Sequence, residues 1–307
     1  MNYFPKIAIL LSLLCSSISQ SATVSSGTLT TLTSFKSELV TQRDIHIWLP
    51  NGYNENHAYD VLYMHDGQML FDANTTWNKQ EWGVDEIASK LIAEKKVRPF
   101  IVVGIDNDVQ TRHSDYFPQA AFNLLTKQQQ QTTYLAKRDA DTLMLKKPIN
   151  SDNYLKFLVT ELKPYIDSTY SVNTSVESTF ILGSSMGGLI SMYAISEYPD
   201  VFGGAACLST HWPGVAPHDG NPIPDAFAKY MSDNLPAPDN HKIYFDYGDK
   251  TLDAFYPPLQ QKIDKVMKVK GYDESQWQTF FFKGHNHSEN AWRSRLDKPL
   301  LFLLGKN

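Results

Sequence analysis

Gly183-Ser184-Ser185-Met186-Gly187 sets a serine between two glycines in the pattern G-x-S-x-G. Phe180, Ile181 and Leu182 precede it, and Leu189, Ile190, Met192, Tyr193 and Ile195 follow at helical spacing. The order is strand, tight turn, helix, the context in which a serine hydroxyl is held out at a sharp bend. Glycines two residues to either side keep side chains out of the crossing of strand and helix. Ser185 is therefore expected to present its hydroxyl beside the amide-rich start of a helix, where developing negative charge is favoured. The chemistry implied is nucleophilic attack through Ser185.

Such a hydroxyl needs a base, and the base needs an acid to orient it. The base candidates are His285 and His287, in Lys283-Gly284-His285-Asn286-His287-Ser288-Glu289 after the last apolar run. The acid candidates are Asp249 and Asp253, just past Ile243–Tyr247. Serine, acid and histidine thus occur in that order, each following a predicted strand. A developing oxyanion needs two backbone amides. One is expected from Met186 and the other from Met64-His65-Asp66-Gly67-Gln68, where Gly67 permits close approach and Gln68 or Gly67 itself donates. His65, Asp66, Trp82 and Trp212 are candidates for the pocket wall. His65-Asp66, His211 and His285-x-His287 also carry donor atoms for a metal, but no H-E-x-x-H or cysteine pair accompanies them, so no metal or other cofactor is expected.

The elements that must position these groups read as alternating strands and helices. Strands are predicted at Arg43–Leu49, Asp60–Met64, Phe100–Ile105, Phe180–Leu182, Gly204–Leu208, Ile243–Tyr247 and Trp277–Phe282. Helices are predicted over 84–93, 152–166, 257–269 and 289–304. The alternation predicts an α/β fold, a mostly parallel central sheet with helices on both faces. Residues 111–150 break the rhythm and are polar, with four glutamines at 128–131. They read as an inserted segment over the strand ends. The 213–240 stretch and Ser209–Pro213 are the other candidate walls.

The chain has 307 residues, 42% hydrophobic and 20% charged, enough for one large α/β domain over 35–307. Its net charge of −5 and lack of a basic run argue against nucleic acid as a partner. Lys6 followed by an apolar run from Ile7 to Leu14 and then small polar residues has the layout of a signal peptide over 1–21. The run is too short to span a bilayer, which needs about 20 apolar residues. Residues 22–34, rich in Ser and Thr, read as a flexible lead-in. Export to a periplasm or to the medium is the expectation. Cys15 raises lipid anchoring, though Leu14 before it is bulky for that signal. Cys207, in an apolar run, reads as a core residue.

Tyr63-Met64-His65-Asp66-Gly67-Gln68, Trp82-Gly83-Val84-Asp85, Val102-Val103-Gly104-Ile105-Asp106-Asn107, Leu162-Lys163-Pro164-Tyr165-Ile166-Asp167 and Gly183–Gly188 together resemble the esterase D and enterochelin esterase branch of the α/β-hydrolases. The likeness runs from about residue 35 to 304. It implies an α/β-hydrolase fold and a serine carboxylic-ester hydrolase acting through an acyl-enzyme, on a small-molecule, polysaccharide or siderophore ester. It matches the nucleophile to Ser185, the base to His287 and the acid to Asp253, with Asp249 standing where the family pattern has Thr. Two other readings use the same residues: acyl transfer to an alcohol, and a non-catalytic protein that binds a carbohydrate or siderophore.

Overall fold

A computed structural model describes residues 22–306. The expected signal peptide and Cys15 lie outside the described residues. Eight strands form one sheet: β1 (Thr28–Phe35), β2 (Arg43–Leu49), β3 (Asp60–His65), β4 (Phe100–Ile105), β5 (Thr179–Ser184), β6 (Gly204–Leu208), β7 (Lys242–Tyr247) and β8 (Trp277–Phe281). Their spatial order is β1-β2-β4-β3-β5-β6-β7-β8. β1 and β2 run antiparallel to their neighbours, and β3 to β8 are all parallel. Parallel strands need crossovers, so helices cover both faces.

Alternation along each strand divides the apolar side chains between two cores. Val61, Tyr63, Ile101, Val103 and Ile181 enter one, together with the helices Met186–Glu197, Ile223–Asn234 and Pro257–Val269. Leu62, Met64, Val102, Phe180 and Leu182 enter the other, under Val84–Ala93 and Asp297–Leu304. β5 lies at the centre, paired with β3 on one side and β6 on the other, and every residue of it is buried. The turn that follows β5 therefore starts from a strand paired on both sides and buried along its whole length.

Two sequence expectations need correction and two gain detail. Residues 22–34 are no loose lead-in: Thr28–Phe35 is β1, hydrogen-bonded to β2. Ser25 and Ser26 donate to buried Asp85, which ties down the preceding residues as well. Low apolar content hid a strand that is only half-buried. Within 111–150, Lys127–Tyr134 is a helix, because Thr126 and Gln129 form a capping box that satisfies its first amides. The 213–240 stretch holds the helix Ile223–Asn234. The helix expected over 289–304 is two, Glu289–Arg293 and Asp297–Leu304, and the break between them accompanies the inward placement of Arg295, which is 1% exposed. No helix among the described residues is long and apolar enough to cross a membrane.

Candidate active site

Gly183 and Gly187 make the bend after β5 sterically possible. A Cβ on Gly183 would lie 2.6 Å from the backbone of Gly187. Between them Ser185 takes φ 58° and ψ −121°, a conformation that L side chains rarely adopt and that stores strain. Its carbonyl accepts from the amides of Gly188, Leu189 and His211, and its own amide donates to Leu208, so the strained geometry is held on several sides. Met186 opens the helix, and its amide has no protein partner among the described residues, as helix geometry dictates for a first-turn N–H.

The histidine arrives from the loop after β8. Gly248 and His285 pack so closely that a Cβ on Gly248 would meet the His285 carbonyl at 2.1 Å. That carbonyl accepts from the amides of Asp249 and Lys250, and the His287 amide donates to Thr251 Oγ1. The loops after β7 and β8 are thereby locked together. The His287 Nδ1–H donates to Asp253 Oδ1 at 2.6 Å. Asp249 points elsewhere and accepts from the Gly284 amide. Of the two candidate acids, the geometry sets Asp253 against the imidazole. His285 contributes its backbone to the loop, and its ring packs on Phe282.

Asp253 is fully buried. Its second oxygen accepts from Ser209 Oγ at 2.6 Å and the Gly248 amide at 2.7 Å. Burial alone would raise this carboxyl, but the His287 ring with the Ser209 and Gly248 donors outweighs it, and the group stays below the ordinary carboxylate range. Ser209 Oγ in turn accepts from Trp292 Nε1 and Arg295 Nη2, and Arg295 pairs with Asp246 at 2.9 Å. The sequence reading passed over Ser209 and Arg295 in this role. No local pattern marks them, because Ser209 meets Asp253 only through the packing of the segments after β6 and β7, and Arg295 reaches that pair from the turn between the last two helices.

The Met64–Gln68 segment sits where close approach demands glycine. A Cβ on Gly67 would meet the backbone of Gly104 at 2.7 Å. Asp66 is left-handed, φ 58° and ψ 47°. Arg112 grips its carboxylate with two hydrogen bonds of 2.7 Å each, and Asn107 Nδ2 adds a third. Burial would raise the Asp66 carboxyl, yet the adjacent guanidinium brings it below its usual range. Gln68 Oε1 accepts from the Asn107 amide, and the Gln68 amide has no protein partner among the described residues.

Ser185, His287, Asp66, Gln68, Trp82 and Arg112 all line one cleft of about 560 Å³. No hydrogen bond joins Ser185 Oγ to the His287 ring among the described residues; such bonds commonly tighten only once a substrate is bound. Trp82 stacks on Trp292 at 5.4 Å, and Trp292 meets His287 edge to face at 5.0 Å. The 111–150 segment brings Arg112 and Arg138 to this cleft. Two pocket candidates lie elsewhere. His65 is buried beneath the bend, its Nδ1 bonded to Tyr154, and burial pushes it down to about 3. Trp212 is in the core, its indole N–H donating to Gln260. Ser209, Thr210 and His211 turn inward as well, since each follows a buried strand and has a buried partner. Among the described residues no group of three or more His, Cys, Asp or Glu side chains is arranged to hold a metal ion.

A mostly parallel sheet, a strained serine at the bend after its central strand, and a His–Asp pair brought in by later loops define an α/β-hydrolase of the esterase type. The family model described as "Putative esterase" matches residues 37–303, and the chain belongs to that family. It is 21% identical over 273 residues to the uncharacterized protein YbbA of Bacillus subtilis (strain 168), covering 86% of this chain and 94% of that one. The fold is similar to that of the ferulic acid esterase AmCE1/Fae1A of Anaeromyces mucronatus (TM-score 0.62, 20% identity, 92% of both chains). It is also similar to the enterobactin esterase FES of Shigella flexneri (TM-score 0.61, 16% identity, 90% of this chain and 59% of that one).

Proposed function

We propose that this esterase cleaves carboxylic esters through a Ser185–His287–Asp253 triad and an acyl-enzyme. The observation that carries the reading is the 2.6 Å bond from His287 to buried Asp253, with the imidazole opening into the cleft that Ser185 lines. Asp253 fixes the tautomer with the proton on Nδ1, which leaves Nε2 as the base.

Ser185 Oγ attacks the ester carbonyl carbon as its proton passes to His287 Nε2. The carbonyl oxygen, now negative, accepts from the amides of Met186 and Gln68, brought close by Gly67. The tetrahedral adduct expels the alcohol as its C–O bond breaks, and His287 Nε2–H supplies the proton to the leaving oxygen. Water then attacks the acyl group, giving a proton to the same nitrogen. The carboxylic acid departs as Ser185 regains its hydrogen.

The Asp66–Arg112–Asn107 hydrogen bonds favour this reading because they hold the Gln68 amide in place before substrate arrives. The apolar segment after Lys6 supports export to a periplasm or the medium. Hydrolysis of p-nitrophenyl acetate by purified protein tests the reaction. Release above background that vanishes in Ser185→Ala is expected, and release at the wild-type rate in that variant overturns the mechanism. A panel of short-acyl, feruloyl, acetylated-xylan and enterobactin esters would then identify the substrate.

A further inference from the structure

Trp77 is 84% exposed, the most exposed large apolar side chain among the described residues, and it stands at the mouth of the cleft. Val109, 67% exposed, lines the same cleft. A bare indole is costly in water, and at the rim of a cleft it reads as a surface kept for a ligand.

The loop that carries it is built to stay in place. Asp72 caps its start, accepting from the Asn74 amide and, through its carbonyl, from Thr75 Oγ1. Thr76 Oγ1 bonds Ala73, and Lys79 Nζ bonds Asn74. Asn78 Nδ2 reaches Glu289, two residues from His287, and Gln80 Oε1 accepts from Asn290. The loop that bears the indole is thus tied to the segment just after His287 by its own side chains. The same bonds decide what it can bind. The polar side-chain groups of Thr75, Thr76, Asn78 and Lys79, and the carbonyl oxygen of the Gln80 side chain, are engaged within the protein. A sugar ring needs hydrogen-bonding partners beside its stacking face, and this loop commits its own to the fold.

We propose that Trp77 is a specificity-determining residue that stacks on a planar aromatic ring carried by the substrate, on either the acyl or the alcohol side. This rests on the esterase reading of the cleft, and Trp77 takes no part in the chemistry.

The test uses the whole purified protein with two matched pairs: methyl 3-phenylpropanoate against methyl hexanoate, and 2-phenylethyl acetate against hexyl acetate. Trp77→Ala should raise KM for at least one aryl ester by about tenfold, with kcat within twofold and both alkyl esters within twofold. Trp77→Phe should restore most of the loss. Equal effects on aryl and alkyl esters, no effect on either, or a larger loss on acetylated xylobiose would overturn the proposal. A second readout does not depend on turnover. In Ser185→Ala protein, the aryl esters should quench and blue-shift red-edge tryptophan emission, and Ser185→Ala/Trp77→Phe should lack that change. An identical response in both proteins sinks the platform even if hydrolysis is established. The response in Ser185→Ala alone upholds the platform even if no ester is turned over.

Discussion

The interior of the sheet and its carboxyl edge obey opposite rules. Inside, β3 and β5 are extended, buried throughout and made of side chains that alternate between two apolar cores. At the edge, Asp66 after β3, Ser185 after β5, Ser209 after β6 and Thr251 after β7 all have positive φ without being glycine. These four strands are neighbours in the sheet. Each of the four residues either carries or positions a group in the cleft. The contrast separates two uses of stability: the interior supplies it, and the edge holds several strained residues, each costing of order 1–3 kcal/mol, where chemistry needs them.

If that division is right, changes at the edge should remove rate without unfolding the protein, and changes inside should do the reverse. The largest effect is expected at the strained serine. Ser185→Gly should lower kcat/KM by about 10⁴ or more, yet raise the melting temperature, because glycine adopts this φ without strain. Calorimetry beside the assay checks both halves; a melting temperature below wild type would break the comparison. Asp253→Asn should cost about 10³–10⁴ in kcat by spoiling the histidine tautomer, whereas Asp249→Asn should cost less than tenfold. Steady-state kinetics ranks the two, and the reverse order would transfer the acid role to Asp249. Arg112→Lys keeps the charge but loses the two-point grip on Asp66 and with it the placement of the Gln68 amide. A fall of roughly 10- to 100-fold in kcat, with KM little changed, is the expected kinetic signature.

An interior change gives the converse. Leu182→Ala removes a fully buried side chain from the strand leading to Ser185. Denaturant unfolding should register a loss of about 2–5 kcal/mol, while the folded fraction keeps kcat within a few fold.

What the sequence made legible follows the same division. Phe100–Ile105 and Gly204–Leu208 are strands with the expected bounds, because burial on both faces imposes an apolar run that is visible locally, and Arg43–Leu49 is one because its polar and apolar residues alternate. Ser185 was visible because a tight bend between strand and helix requires glycines at fixed offsets. β1 was missed since a half-buried edge strand of Thr and Ser has no such signature. Ser209, Arg295 and Asn107 could not be read locally, because their roles exist only where segments distant in the chain meet. His65 and Trp212 were misplaced for the complementary reason: each belongs to a segment that reaches the edge, but its own side chain points into the core.

The last effect concerns pH. Burial pushes His65 down to about 3 and His113 to about 4, so both stay neutral in the folded state where the unfolded chain, near 6.5, takes up protons. Stability is therefore lost as pH falls below about 6.5, by roughly 2 kcal/mol for each histidine at pH 5. Asp246, raised to about 6 by burial against Arg295, acts in the opposite sense by about 1 kcal/mol. Burial pushes His211 down as well and adds to the loss, so urea unfolding at pH 7 and pH 5 should differ by at least about 2–3 kcal/mol, with the acid sample weaker; equal stability would mean that these histidines are not held neutral.

Covalent capture of the nucleophile tests the central claim most directly. Wild-type protein treated with a serine-directed fluorophosphonate and digested for mass spectrometry should carry one adduct, on Ser185, formed in step with loss of esterase activity. The His287→Ala variant should label far more slowly. A label on another residue, or full activity in protein labelled at Ser185, would contradict the account.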